Sequence, residues 1–327
     1  MATQAKLTTS ADVVPVTADN FVRAETDMYF GLFSSRGALG KFIHLRELPL
    51  EKTGVRPNRD TLYSEAVFDL DAGPATITLP DAGSRFMSMI VIDEDHYVTE
   101  VLYGAGSHTY SRKQIGTRYF FTCIRTLVDP TDPEDVKKVH TLQDSIKIEQ
   151  PGGPGSLELP NWDQPSQKQV RDALLVLNAT LPDLTRGGGS RDQVDPVRHL
   201  IATASAWGLN PDKDAIYLNV TPSKNDGKTN YKLKVTGNVP VDAFWSITVY
   251  TADGHFQKNE LDAYSLNSIT AKKDADGSVT VQFGGCDGNI ANCLPIFPAW
   301  NYMVRLYRPR KEILDGTWKF PEAQPTG

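Results

Sequence analysis

Two short segments of the chain place ionisable and hydrogen-bonding side chains next to predicted strands. The first, RPNRDTLYSE, contains Arg59, Asp60 and Tyr63 at the start of a strand. The second, VIDEDHY, contains Asp93 and His96 at the end of a run that is apolar at nearly every position. Side chains of these types can hold an anion, take up a proton and donate one.

Each of the five residues has a predicted role in one acid–base site. Arg59 would hold the carboxyl group of Asp60 or Asp93 ionised, or bind an anionic group of a substrate. Asp60 or Asp93 would act as the base or orient His96. His96 titrates nearest to neutral pH and would carry the proton, while Tyr63 would donate a hydrogen bond to developing negative charge. The alternative interpretation is structural: Arg59 and Asp60 form an ion pair at a strand entrance, and His96 is an ordinary loop residue.

No standard catalytic or cofactor motif accompanies these two segments. The sequence lacks Gly-x-Ser-x-Gly and Ser-x-x-Lys, and it lacks both of the glycine-rich patterns that bind phosphate groups. Its six histidines form no His-x-His or His-x-x-x-His pair, so a local zinc site is not indicated. We therefore expect neither a cofactor nor a metal ion.

Composition excludes several classes of protein. The chain of 327 residues carries 34 basic and 40 acidic side chains, a net charge of −6 that argues against a duplex nucleic-acid binder. No stretch approaches 18 consecutive apolar residues, so we expect no membrane span. The N-terminal segment MATQAKLTTSADVV lacks the apolar core of a secretory signal, which predicts a cytoplasmic protein. Cys286 and Cys293 could form a disulfide or stay reduced, whereas Cys123 lies in an apolar run that indicates a core position.

The hydrophobic period predicts the elements that position these side chains. A helix begins near Thr17, after about fifteen polar and loose residues. Short runs rich in aromatic and β-branched residues follow from Thr61 to Arg125, and they return from Ala215 onward in at least six strands. Between the two strand regions, three helices are predicted to begin at capping residues Asp132, Ser166 and Asp195.

This order of elements predicts an α+β protein with two antiparallel β-sandwich or jelly-roll-like regions, an N-terminal helix and a helical segment between the two regions. The predicted divisions are 1–44 for the N-terminal helical segment, 45–130 for the first β region, 131–212 for the helical connector with its Pro/Gly-rich loop, and 213–327 for the second β region.

The Pro/Gly-rich segment from Gln150 to Pro165 carries apolar side chains at Leu157, Leu159 and Trp162. Exposed apolar residues in a loop are typical of a partner surface, which predicts a homodimer. The alternative is that these side chains cover the core of their own chain.

The motif strings carry a family resemblance. NRDTLYSEAVFDLDAGPATITLP, followed by RFMSMIVIDEDHY, resembles domain-of-unknown-function family 1254. VPVDAFWSITVY, AYSLNSI, DGSVTVQFG and MVRLYRPRKEILDGTWKFP resemble family 1214, with Cys293 at a position where the usual motif has tryptophan. The resemblance spans roughly residues 45 to 320 and implies two β-sandwich or jelly-roll-like regions joined by helices. It implies no catalytic residues, and the export signals of many relatives are not carried over to this N-terminus.

Two classes of function follow. We expect a hydrolase or lyase that acts on a small organic molecule by metal-independent acid–base hydrolysis or elimination. The alternative is a non-catalytic ligand-binding or assembly module. An enzyme would place the five residues around one pocket, whereas a binding module would show an open aromatic groove without a perturbed titratable group.

Overall fold

The computed structural model describes residues 7–48, 50 and 56–326, and the chain divides into two compact units. Unit 1 comprises Met1–Arg46 and Leu62–Pro211, and unit 2 comprises Glu47–Thr61 and Asp212–Gly327. The N-terminal helix, the first β region and the helical connector therefore belong to one unit. The segment before the first long strand is counted with the C-terminal half of the chain.

Unit 1 contains ten strands and five α-helices within the described chain. Its elements are β1 (Leu7–Val14), α1 (Phe21–Ser35), β2 (Ile43–His44), β3 (Thr61–Asp69), β4 (Ala75–Leu79), β5 (Met87–Asp93), β6 (Val98–Tyr103), β7 (Gly106–Tyr110), α2 (Arg112–Ile115), β8 (Tyr119–Leu127), α3 (Pro133–Asp144), β9 (Lys147–Glu149), β10 (Leu157–Trp162), α4 (Gln164–Asn178) and α5 (Pro196–Ser205). The first residue of β3 is counted with unit 2.

A five-stranded sheet of order β2-β3-β8-β5-β6 is the centre of unit 1. All seven residues of β5 are buried, as the unbroken apolar run predicts. One face of the sheet packs against a three-stranded sheet of order β7-β4-β9, through Phe68 and Phe120 among others. The other face packs against Phe30 and Phe33 of α1.

Three helices of unit 1 begin directly after an aspartate whose side chain caps the helix N-terminus. Asp132 and Asp195 accept hydrogen bonds from the first free N–H groups of α3 and α5, and each helix has proline in its first turn, which confirms these two predicted starts. The predicted cap at Ser166 is wrong. Asp163 caps α4 instead, because its carboxylate accepts a hydrogen bond from the Ser166 N–H.

Two segments expected to be irregular form a pair of strands. β1 pairs in parallel with β10, from Leu7 opposite Leu157 to Val14 opposite Trp162. Leu157 is buried in the core that includes α1, and Trp162 packs against the cluster formed by α1, α4 and α5. The apolar residues of the Pro/Gly-rich segment therefore cover their own chain, and they give no support to a homodimer.

Unit 2 has two four-stranded sheets with a shared apolar core. Its elements are β11 (Ala215–Val220), β12 (Tyr231–Val235), β13 (Trp245–Tyr250), β14 (Ser265–Asn267), β15 (Val279–Phe283), β16 (Cys293–Leu294), β17 (Asn301–Tyr307), α6 (Lys311–Leu314) and β18 (Gln324–Pro325). The sheet orders are β11-β17-β13-β14 and β16-β15-β12-β18, and Trp300, Ile247 and Phe283 lie in the core between them. Cys286 and Cys293 are joined by a disulfide.

The predicted α+β class is confirmed: several antiparallel sheets and six helices make up the described chain, and the sheets form no closed barrel. Across the described ranges, no helix combines the length and the apolar character that crossing a bilayer requires.

Candidate functional site

The five residues singled out from the sequence are divided between the two units. Arg59 and Asp60 belong to unit 2, while Tyr63, Asp93 and His96 belong to unit 1. The surroundings of these residues within each unit decide which of them can act on a ligand.

Tyr63 and Asp93 lie at opposite ends of the five-stranded sheet. The Tyr63 ring lies beneath the guanidinium of Arg125, which is opposite Ser88 at the start of β5. Asp93 ends the same strand, five residues further on, and this corresponds to about 17 Å of extended chain. Unit 1 therefore does not bring these two predicted site residues together.

Asp93 holds the turn that follows β5. Its Oδ1 accepts hydrogen bonds of 2.9 Å from the N–H groups of both Asp95 and Tyr97. Between them, His96 adopts the left-handed conformation with φ of 60°, which the turn requires. Burial raises the pKa of Asp93 to about 6, and the N–H groups that it accepts from oppose this rise.

His96 is buried and both of its ring nitrogens are occupied. Nε2 accepts a hydrogen bond of 2.8 Å from the N–H of Gly208. Nδ1 lies 2.8 Å from the Thr203 hydroxyl, which donates its own proton to the carbonyl of His199 and so accepts from Nδ1–H. Burial first, and the neighbouring His199, lower the pKa of His96 well below its usual value. This imidazole is neutral and holds the fold, so it is unsuited to carry a proton near pH 7.

Asp60 lies on a polar sheet face in unit 2. Arg305, Ser246 and Asn267 are opposite one another on β17, β13 and β14, and their side chains turn away from the apolar core. Asp60 is 1% exposed and accepts a long hydrogen bond of 3.4 Å from Asn267 Nδ2. Burial raises the pKa of Asp60, while the charge of Arg305 and the side chains of Ser246 and Asn267 oppose the rise.

Arg59 and Asp60 were predicted to form an ion pair, but the structure gives each of them different neighbours. The guanidinium of Arg59 lies over the rings of Tyr264 and Phe256, at 5.0 and 5.9 Å from their centroids. Burial lowers the pKa of Arg59, and the nearby charge of Asp262 raises it. The cation whose charge acts on Asp60 is Arg305.

Arg305 anchors the segment that precedes β3 onto the polar face. Its Nη2 donates to the Tyr250 hydroxyl at 2.6 Å and to the Arg56 carbonyl at 3.0 Å, and its Nη1 donates to Thr248. The Tyr250 hydroxyl in turn donates to the Pro57 carbonyl at 2.6 Å. These contacts give Asp60, Arg305 and Tyr250 a structural role within unit 2.

A different group of side chains in unit 1 has the properties of an acid–base site. Tyr63 and Glu65 are two positions apart on β3 and therefore face the same side of the sheet. Arg125 lies on β8, the neighbouring strand, with its Cζ 5.5 Å from the centroid of the Tyr63 ring. We name these three residues the Glu65 cluster.

Glu65 is a partly buried carboxyl group without a direct partner. No hydrogen bond or ion pair joins it to another residue that the structure describes, and the same holds for the Tyr63 hydroxyl. Burial raises the pKa of Glu65 to about 7, while the charges of Arg36 and Arg125 oppose the rise. A carboxyl group with this pKa exchanges a proton readily near neutral pH.

The other side chains beside Glu65 are less suited to chemistry. Cys123 precedes Arg125 by two positions on β8, and burial raises the pKa of its thiol to about 12, so the thiol stays protonated. Ser88, opposite Arg125, is buried. Within the part of the chain that the structure describes, His, Cys, Asp and Glu side chains form no group of three or more placed to hold a metal ion.

Reasoning from the sequence missed Glu65 and Arg125, although both lie in runs assigned to strands. The period-two rule already places Glu65 on the side of Tyr63, two positions further along β3. Arg125 could not be paired with them from local patterns, because the neighbouring strand is some sixty residues away in the chain and strand order is not written in either segment.

The fold is that of a two-unit α+β protein, and two family models each match a segment of it, one in the N-terminal half of the chain and one in the C-terminal half. Residues 39–114 match the family described as protein of unknown function (DUF1254), and residues 215–311 match the one described as protein of unknown function (DUF1214). The chain thus combines a region of each family, in the order that the sequence resemblance predicts.

Two solved structures share this fold over nearly the whole chain. The VPA0106 protein from Vibrio parahaemolyticus is 18% identical, with a TM-score of 0.72 over 94% of this chain and 98% of its own. A putative uncharacterized protein from Burkholderia cenocepacia is 14% identical, with a TM-score of 0.52 over 94% of this chain and 88% of its own. At these identities the likeness concerns the fold alone. No curated protein matches the chain.

Proposed function

We propose that this protein is an enzyme that performs acid–base chemistry on a small organic anion at the Glu65 cluster. One observation carries the proposal: a partly buried carboxyl group with a pKa of about 7 feels the charge of the Arg125 guanidinium and shares its sheet face with Tyr63, without a hydrogen-bond partner of its own among the described residues. Structural carboxyl groups are normally satisfied by hydrogen bonds or ion pairs.

Each member of the cluster has a distinct role. The planar donors of Arg125 bind the anionic group of the substrate, which places the reacting atom next to Glu65. Glu65, about half ionised near pH 7, takes a proton from water or from a carbon acid and returns it later. The Tyr63 hydroxyl donates a hydrogen bond to the oxygen that gains negative charge in the transition state.

Both reaction types expected from the sequence use these roles. In hydrolysis, Glu65 removes a proton from the attacking water and then protonates the leaving group. In elimination, it removes a proton from the carbon next to a carboxylate and protonates the departing hydroxyl. The side chains of the cluster supply every proton transfer in either case.

The direct test is a turnover screen of the purified full-length chain. One panel contains esters and lactones that bear a carboxylate, followed by acid release, and the other contains β-hydroxy carboxylates, followed by absorbance of the unsaturated product. For any substrate that turns over, Glu65→Gln should lower kcat by about 10²- to 10⁴-fold. Arg125→Gln should mainly raise KM, and Tyr63→Phe should mainly lower kcat.

A matched control is Glu149→Gln, which changes an exposed carboxyl group on β9. This variant should keep full activity. Turnover that survives Glu65→Gln unchanged would refute the site. Binding that depends on Arg125, without turnover of any compound, would favour the alternative of a ligand-binding module.

A further inference from the structure

Arg56 in unit 2 has a fixed guanidinium group. The residue adopts the left-handed backbone conformation, with φ of 54°, and its N–H donates to the Gly254 carbonyl at 2.7 Å. Nη1 of its side chain donates to Asn301 Oδ1 at 2.8 Å, and its Cζ lies 5.4 Å from the centroid of the Tyr250 ring. Asn301 is itself held, because its Nδ2 donates to the Thr251 carbonyl at 2.8 Å.

No carboxylate of a described residue neutralises Arg56. Its guanidinium takes part in no ion pair with the described chain, and the one hydrogen bond to Asn301 leaves its Nε and Nη2 donors without a partner there. Ionic partners are usual for partly buried arginines, because an unpaired charge removed from water costs free energy. The side chain is thus held in place by Nη1, while the described chain uses neither its Nε donor nor its Nη2 donors.

The surroundings of Arg56 are positive. Arg305 contacts the same tyrosine ring as Arg56, with its Cζ 5.8 Å from the Tyr250 ring centroid. Asp60 is the buried carboxyl group of this polar face, and burial raises its pKa toward the neutral form. Burial lowers the pKa of Arg56, Tyr250 opposes this change, and the charge of Arg305 adds to the lowering.

We propose that Arg56 is the anchor of a second binding site, which takes the carboxylate of a small organic molecule. Two coplanar oxygens and a single negative charge match the planar donors of one guanidinium and offset one uncompensated charge. Phe256 stacks on Tyr250 at 5.3 Å and gives the site an apolar flank, which favours an organic carboxylate over an inorganic ion. The site uses none of the residues of the Glu65 cluster, so it stands independently of the proposed activity.

Thermal unfolding of the full-length chain tests the site with sodium benzoate, acetate, phosphate and chloride at matched ionic strength. Benzoate should raise Tm in a saturable manner, acetate should do so less strongly, and chloride should not. Arg56→Gln should weaken the apparent affinity for benzoate by about 10- to 100-fold. Arg56→Lys keeps the positive charge but loses the planar donors, so its affinity for benzoate should lie between those of the wild type and Arg56→Gln. If Arg56→Gln does not fold, the comparison of Arg56→Lys with the wild type tests the site.

The matched control is Arg310→Gln, which removes an exposed arginine of the same unit that pairs with Asp242. It should bind benzoate like the wild type. An equal response of wild type and Arg56 variants would overturn the proposal, and so would an equal effect of chloride. Stabilisation by phosphate but not by benzoate would overturn the assignment to a carboxylate.

Discussion

At the scale of single residues, hydrogen-bond partners separate the groups that can act on a ligand from those that hold the fold. His96 and Asp93 carry the chemistry that the sequence makes most conspicuous, yet each is engaged with backbone or side-chain partners. Glu65 and the Tyr63 hydroxyl have no such partners among the described residues. Residue type alone could not make this distinction, because it depends on contacts between distant parts of the chain.

His96→Ala should therefore destabilise the protein. The change removes the acceptor of the Gly208 N–H, the partner of Thr203 and a ring stacked on Trp207, all in a buried position. We expect a loss of about 2–4 kcal/mol in the free energy of unfolding, measured by urea denaturation. His108→Ala, at a partly exposed position on β7, is the control and should change little. Lost turnover at unchanged stability would restore the catalytic assignment of His96.

Asp27 should make stability fall as the pH rises. Its side chain is buried on α1, where Oδ2 accepts a hydrogen bond of 2.8 Å from Trp162 Nε1, and burial raises its pKa to about 7. A carboxyl group whose pKa is higher in the folded state contributes stability below its unfolded pKa and loses it as the pH rises through the folded value. The sensitive window thus runs from about pH 4 to about pH 7.

Asp27→Asn tests this dependence, because the amide oxygen can still accept from Trp162. At pH 8 the variant should be more stable than the wild type by about 2–4 kcal/mol in urea denaturation, with little difference at pH 4. Asp19→Asn, which changes an exposed carboxylate before α1, should show no such shift. A variant that is less stable at pH 8 would contradict the reading of Asp27 as a buried acid.

At the scale of elements, the sequence pattern within a single segment predicted the strands and helix starts that depend on that segment alone. The unbroken apolar run became the fully buried β5, and the Asp-Pro pairs at Asp132 and Asp195 became helix starts. The pairing of β1 with β10 could not be predicted, because parallel partners far apart in sequence leave no joint signal in either strand. The Glu65 cluster could not be predicted for the same reason, because its residues meet only when β3 and β8 become neighbours in the sheet.

The disulfide between Cys286 and Cys293 should stabilise unit 2. It closes a loop with a sequence separation of 7 residues. Restricting the unfolded chain to this extent is worth about 2–3 kcal/mol in the loop-closure model. Reduction should lower the unfolding free energy by that amount, and the Cys286→Ser/Cys293→Ser double variant should show the same stability with or without reductant. Three free thiols in the purified, unreduced protein would contradict the bond.

At the scale of the whole molecule, the chain supplies each unit from two separated stretches. Glu47–Thr61 is counted with the C-terminal residues, and it brings Arg56 and Asp60 to the polar face of β13 and β17. The predicted boundary at 213 lies beside the observed one at Asp212, but this earlier segment is not recognisable from composition.

Unit 2 is built from two separate stretches of the chain, which predicts which of its fragments can fold. The fragment Asp212–Gly327 alone should not fold stably, because the buried Arg305 loses the Arg56 carbonyl as an acceptor and the Tyr250 hydroxyl loses the Pro57 carbonyl. A permuted fragment with Glu47–Thr61 joined after Gly327 by a flexible linker should give a dispersed NMR spectrum. The same fragment with a scrambled segment is the control and should stay unfolded. Equal dispersion in all three would show that the segment is dispensable.

The most direct test of the acid–base site is the pKa of Glu65, followed by its side-chain carboxyl ¹³C resonance in an NMR titration of the full-length protein. Glu65→Gln identifies the resonance. The structure predicts a midpoint of about 7 in the wild type. Arg125→Gln should raise it further, because a neighbouring positive charge that favours the ionised form is lost. A midpoint near the ordinary glutamate value, unaffected by Arg125→Gln, would contradict the assignment of Glu65 as the proton carrier.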